Sequence, residues 1–345
     1  GGDMRKGIIL TLIVVMLIAP ISVLFATGTQ EEGTQRHAFI FKNTGNPYGD
    51  KQMEGFQEGI EEQGYEAILR APDQPTAEAQ IQIIEQLIAQ RVASISITGN
   101  DFDALEPVLT RAMDDGIVVI SADSAVNPDS RMTHVNQADS EMIGRTLIQA
   151  AYDMADGAGD IAILSATSQA SNQNLWIEWM QTELEENADK YADLNLVRIA
   201  YGDDLRDKSV SETEGLLQSF PDLEVIIAPT TVGIAAASRV ITDRGLIGDV
   251  KVTGLGLPSE MAEYIENGAC PYMFLWNPID VGYLAAFTAT ALVDGDITGS
   301  AGEEFSAGRL GSFEIVPASD GGTEILLGAP FRFDPSNIDE WKDVY

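Results

Sequence analysis

The stretch Ala38-Phe39-Ile40-Phe41-Lys42-Asn43-Thr44-Gly45-Asn46-Pro47-Tyr48 sets the pattern for the chain. Its four leading apolar residues read as a strand buried on both faces. Polar side chains follow at once, and Tyr48 to Gln63 then reads as a helix ended by Gly64. The unit repeats. Ala67-Ile68-Leu69 precedes a helix from Thr76 to Gln90, in which Ile81, Ile84, Leu87 and Ile88 share one face. Val92 to Ile97 is the next strand and Asp103 to Asp115 the next helix, with Asp101 or Asp103 as cap and Gly116 as its end. Ile117 to Ser121 closes the series as a strand.

The alternation resumes after Gln137. Strands are expected at 160–164, 196–200, 225–228 and 250–254, and helices at 140–155, 172–187, 208–219, 232–244, 259–267 and 280–294. Repeated strand-helix order predicts an α/β fold: parallel sheets with helices on both faces, arranged as two similar Rossmann-like lobes. Open parallel sheets bind ligands beyond the carboxyl ends of their strands. The residues to inspect are therefore Lys42, Asn43, Asn100, Asp101, Asp123, Thr230 and Thr231.

Composition narrows the class of function. Of 345 residues 45% are hydrophobic, enough for a packed globular core. Cys270 is the single cysteine, so neither an intrachain disulfide nor a cysteine metal cluster can form. The 54 acidic and 20 basic residues give a formal net charge of −34, which repels nucleic-acid phosphates and anionic lipid. Dispersed over the whole chain, this excess reads as a solvated coat suited to a salty exterior.

At the start, Met4-Arg5-Lys6 runs into an uncharged apolar segment from Ile8 to Phe25, interrupted by Pro20. Leu24-Phe25-Ala26 suits a signal-peptidase cut, so residues 1–26 read as a signal peptide, with Gly1 to Asp3 set aside as an extension ahead of Met4. A retained anchor is the alternative. Residues 27–36 read as a linker.

Several ordered motifs carry a resemblance. They are Phe41-Lys42-Asn43-Thr44-Gly45-Asn46-Pro47-Tyr48, Ser121-Ala122-Asp123-Ser124, Val135-Asn136-Gln137, Ser171-Asn172-Gln173-Asn174-Leu175-Trp176, Ile227-Ala228-Pro229-Thr230, Val252-Thr253-Gly254-Leu255-Gly256 and Leu275-Trp276-Asn277-Pro278. Together they resemble the type I periplasmic sugar-binding proteins of ABC importers, in the branch holding rhamnose-binding and autoinducer-2-binding members. The resemblance implies a polar cage for a monosaccharide. Lys42 and Asp123 would act from the first lobe, with Asn43 beside them as a strand-end candidate, and Asn172, Gln173, the Pro229 carbonyl and Thr231 from the second. Asn277 would lie near the hinge, and Tyr48 or Trp276 would cover the sugar's apolar face. It also implies three hinge crossings, with 37–137 plus 278–304 in the first lobe and 138–277 plus 305–345 in the second. The expected partner is a membrane permease and the expected state a monomer, with no cofactor, no metal and no nucleic acid. Asn172 and Thr231 replace the Asp and Ala expected in autoinducer-2 binders, which favours a rhamnose-like sugar.

Each residue also has a plainer role. Asp123 could form a turn before Asn127-Pro128, Lys42 could be solvated, Asn172 and Gln173 could cap a helix, Trp276 could be core and Asn277 a turn residue. A secreted carbohydrate enzyme would need two facing carboxylates, and only Asp123 stands out. A periplasmic sensor remains compatible. Gly254-Leu255-Gly256-Leu257-Pro258-Ser259 lacks the last glycine of a dinucleotide fingerprint, and the calcium-loop start at Asp294 fails at Phe305. The two histidines, His37 and His134, have no catalytic spacing.

Overall fold

The apolar run Ala38 to Ile40 completes β1 (Arg36–Ile40), which has parallel neighbours on both sides, β2 (Glu66–Arg70) and β3 (Ser94–Ile97). Burial on both faces explains the absence of alternation in its sequence. The computed structural model describes residues 34–345, which form a unit from Thr34 to Tyr345. The signal-peptide reading and most of the 27–36 linker lie outside the described residues. Beyond β3, β4 (Val118–Ala122) and β5 (His134–Asn136) extend the first sheet in parallel. The helices α1 (Pro47–Glu62), α2 (Ala77–Gln90) and α3 (Glu106–Asp114) alternate with these strands. Asp101 caps the turn ahead of α3, accepting from the Asp103 and Ala104 amides at 3.0 and 2.8 Å, so the helix starts later than its acidic residues suggest.

The second sheet runs β7-β6-β8-β9, all parallel: β6 (Gly159–Ser165), β7 (Leu194–Tyr201), β8 (Leu223–Ala228) and β9 (Lys251–Gly254). It carries α4 (Ser140–Met154), α5 (Ser171–Glu186), α6 (Arg206–Ser219), α7 (Thr231–Asp243) and α8 (Pro258–Asn267). After β10 (Met273–Leu275) the chain returns to the first sheet through α9 (Pro278–Asp294), which packs along α1. Two glycines permit this crossing. A Cβ on Gly55 would lie 1.9 Å from the Ile279 carbonyl oxygen, and one on Gly282 would lie 1.8 Å from that of Gln52.

The tail corrects one expectation. After the hairpin β11 (Glu304–Ser306) and β12 (Ser312–Glu314), strands β13 (Val316–Pro317) and β14 (Thr323–Leu326) add to the first sheet, with β14 parallel to β5. Only β15 (Phe331–Phe333), antiparallel to β10, and α10 (Ile338–Trp341), packed on α8, lie with the second. The 305–345 segment is thus divided, because β5 leaves an edge that β14 covers. Among the described residues no helix is long and apolar enough to cross a membrane.

Candidate functional site

The carboxyl ends of both sheets face a cavity lined by Phe41, Lys42, Asn46, Tyr48 and Asp123 from the first and by Asn172, Gln173, Trp176, Asp204, Pro229, Thr230 and Thr231 from the second. Leu255, Leu275 and Trp276 complete the wall around a narrow cavity of about 40 Å³.

Each polar group is held by its own turn. Lys42 follows β1, and its carbonyl accepts from Asn100 Nδ2 at 2.8 Å. Gln80 secures the same corner by donating to the Phe41 and Thr98 carbonyls and accepting from the Asn100 amide. Asn100, a strand-end candidate, therefore positions Lys42 and does not line the cavity. Asp123 follows β4 with φ +65°, a backbone region costly for non-glycine residues and concentrated at functional sites. Its amide donates to the Val135 carbonyl at 3.0 Å.

Asn172, at the start of α5, bridges the sheets. Its Nδ2 donates to Asp123 Oδ1 at 3.2 Å, and its Oδ1 accepts from Lys42 Nζ at 3.4 Å. Gln173 Oε1 accepts from the Ala166 amide at 3.0 Å, tying α5 to the end of β6. Trp276 Nε1 donates to the Tyr48 hydroxyl at 2.7 Å, and the two rings meet edge to face. Trp276 also packs against Trp176, whose own buried indole N–H has no partner among the described residues.

Two expected residues do not line the cavity. Asn277 caps α9, accepting from the Ile279 amide at 3.0 Å, so its place before Pro278 is a helix start. Asn43 is buried and donates to the neighbouring Thr44 carbonyl at 3.2 Å.

One residue corrects the argument from carboxylates. Asp204, two residues beyond a glycine at the end of β7, is buried and accepts a hydrogen bond from Thr230 Oγ1. The cavity therefore holds two carboxylates, not one. The signal was available, because Gly202-Asp203-Asp204 directly follows a strand.

The electrostatics are unusual. Lys42, Asp123 and Asp204 are 5%, 6% and 8% exposed, yet among the described residues none forms a salt bridge. Burial raises the Asp123 carboxyl to about 6, against the attraction of Lys42 and the Asn172 hydrogen bond, and Asp204 raises it further. Burial likewise raises Asp204, opposed by Lys42 and Thr230. Buried charges are expensive unless paired. Three such groups around one space hold hydrogen-bonding capacity that a polyhydroxy molecule can fill, since hydroxyls both donate and accept. Among the described residues no cluster suits a metal ion.

A family model described as a periplasmic binding protein domain matches residues 37–297. A solute-binding protein of an ABC transporter from Clostridium phytofermentas, solved with bound L-rhamnose, is 50% identical, covers 90% of this chain and 99% of its own, and superposes with a TM-score of 0.89. A sugar ABC transporter protein from Actinomyces odontolyticus is 37% identical over 89% of this chain and 97% of its own, with a TM-score of 0.70. LsrB from Clostridium saccharobutylicum, in complex with AI-2, is 22% identical over 89% and 99%, with a TM-score of 0.82, a likeness of fold alone. The D-ribose/D-allose-binding protein of Pseudomonas aeruginosa is 25% identical over 191 residues, 53% of this chain and 57% of that protein's length.

Proposed function

The chain belongs to the periplasmic binding protein domain family, and on that premise we propose that it is an extracytoplasmic receptor for a rhamnose-like deoxyhexose. It captures the sugar between its sheets and delivers it to the permease of an ABC importer. The observation that carries the reading is the 50% identity, over nearly the whole of both chains, to a solute-binding protein holding L-rhamnose. The cavity supports it. Two carboxylates and an ammonium satisfy several hydroxyls at once, and Tyr48, Trp176 and Trp276 offer faces to an apolar ring side.

The mechanism is closure about a hinge. The first lobe comprises 37–137 with the returning segment from 278 to about 326, and the second comprises 138–277 with the end of the tail. The ligand contacts both lobes, so it binds the closed arrangement more tightly and shifts the population toward it. The permease reads closure. The second carboxylate removes the sequence argument against an enzyme, and the reading as a receptor without turnover rests on the binding-protein family; a chemically altered sugar recovered after incubation with pure protein would end this part of the reading.

Asn172 favours the deoxyhexose over the autoinducer. An aspartate at 172 would add a third carboxylate within hydrogen-bond reach of Asp123, whereas the amide donates to that carboxylate and accepts from Lys42. A thermal-shift panel of deoxyhexoses, pentoses, polyols and the autoinducer, followed by direct competition, tests the assignment. L-rhamnose should give the largest shift and displace the autoinducer. Preference for the autoinducer would move the chain to the signalling branch.

A further inference from the structure

Asp204 is the buried charge that the resemblance leaves without a role. It sits in a turn where Asp203 and Asp204 both have positive φ, +54° and +53°. The turn is pinned to β6 by bonds from the Gly202 amide to the Ser165 carbonyl at 2.8 Å and from the Asp203 amide to that of Ala166 at 3.1 Å. A carboxylate can accept about four hydrogen bonds. Asp204 receives one, from Thr230, and among the described residues it has no cationic contact partner. Lys42 acts electrostatically on both Asp204 and Asp123, so one cation serves two carboxylates. The wider groove that Asp123 and Asn172 also line adds seven more acidic residues, among them Asp101, Glu178 and Glu324, and contributes no Lys or Arg.

We propose that Asp204 is the second lobe's ligand-holding carboxylate and a determinant of which sugars the cavity takes. The ligand gives one hydroxyl hydrogen to Asp123 and another to Asp204, and so ties the two lobes together. The same charge balance refuses sugars bearing a carboxylate or phosphate, because each would bring a third negative charge among buried groups with one ammonium. The assignment rests on the sugar-receptor reading and deepens it.

A structural role for Asp204, holding Thr230 at the start of α7, is the competing explanation, and stability separates the two. Asparagine at 204 keeps an oxygen to accept from Thr230 while removing a buried charge. The test compares wild type and Asp204→Asn by calorimetry with L-rhamnose and L-rhamnonate, alongside thermal unfolding of the empty proteins. Asp204→Asn should unfold at no lower temperature than wild type and lose roughly tenfold or more in L-rhamnose affinity. Its preference for L-rhamnose over L-rhamnonate should narrow. Unchanged L-rhamnose affinity, or a lower melting temperature with unchanged affinity and preference, overturns the assignment alone. A wild-type protein that binds neither compound overturns the receptor reading and this assignment with it.

Discussion

Two buried cations belong to segments of the first sheet, and they are treated in opposite ways. Arg131, 4% exposed, pairs with Asp320 at 2.7 Å and also donates to the Val126 carbonyl. Among the described residues the ammonium of Lys42, 5% exposed, has only a 3.4 Å bond to a neutral amide. The first arrangement fastens the tail beside β5. The second leaves an ammonium, with two carboxylates near it, incompletely satisfied at the carboxyl ends of the two sheets. Paired burial fits a structural role here, and unpaired burial fits a site, where a ligand's hydroxyls can complete the hydrogen bonding that the protein leaves open.

Breaking the paired side should give the largest effect. Asp320→Ala leaves the Arg131 guanidinium buried without its partner and should cost about 3 kcal/mol of stability, read by denaturant unfolding, with L-rhamnose affinity of the folded protein unchanged. A loss near zero would remove the distinction between the two cations.

The unpaired side should respond the other way. Asp123→Asn should lower L-rhamnose affinity at least tenfold by calorimetry, while the empty protein at pH 7 keeps or gains stability. Equal affinity would take Asp123 out of the site.

Acid sharpens the contrast. The folded Asp123 carboxyl lies at about 6, above its ordinary 3.8. Its contribution to stability is therefore fully present below about pH 4 and lost as pH rises through 6. Measured as the difference from Asp123→Asn, wild-type stability should fall over that window. Sugar binding has the opposite sign, because the ionised carboxylate accepts the hydroxyl. Affinity should drop by about tenfold from pH 7 to pH 5. The buried His134, lowered to about 3, and His37, lowered to about 4, destabilise the whole fold toward acid and cancel in the difference.

The smallest effect belongs to the aromatic wall. Tyr48→Phe removes the acceptor of Trp276 Nε1 and should weaken L-rhamnose binding by about 1 kcal/mol, with a change in tryptophan fluorescence of the empty protein. Binding and fluorescence identical to wild type would make this bond incidental.

Strand-helix alternation was legible because β1 to β4 and β6 to β9 hold local apolar residues, with helices of recognisable ends such as Thr76 or Gly116 between them, whereas β5, His134-Val135-Asn136, has no such run and follows β4 without an α-helix. Lys42 and Asp123 were legible because they directly follow such runs. The tail was not, since β14 pairs with a strand nearly two hundred positions earlier and no local pattern encodes that choice. Asp204 carries a strand-end signal too, three residues past β7, but among 54 acidic residues only its burial sets it apart. Asn277 misled for a physical reason. Asparagine before proline serves a helix start as readily as a hinge contact, and here its oxygen caps α9.

The most direct test is proton release on binding. L-rhamnose should be titrated into the protein near pH 6 in buffers of differing ionisation enthalpy. If the sugar completes an underpaired buried carboxylate, it favours the ionised form of Asp123 and lowers its pKa. Binding near pH 6 should then release a fraction of a proton that vanishes by pH 8 and in Asp123→Asn. Saturable binding with the same proton balance at both pH values, or no binding at all, would contradict the claim that these buried charges are held for a sugar.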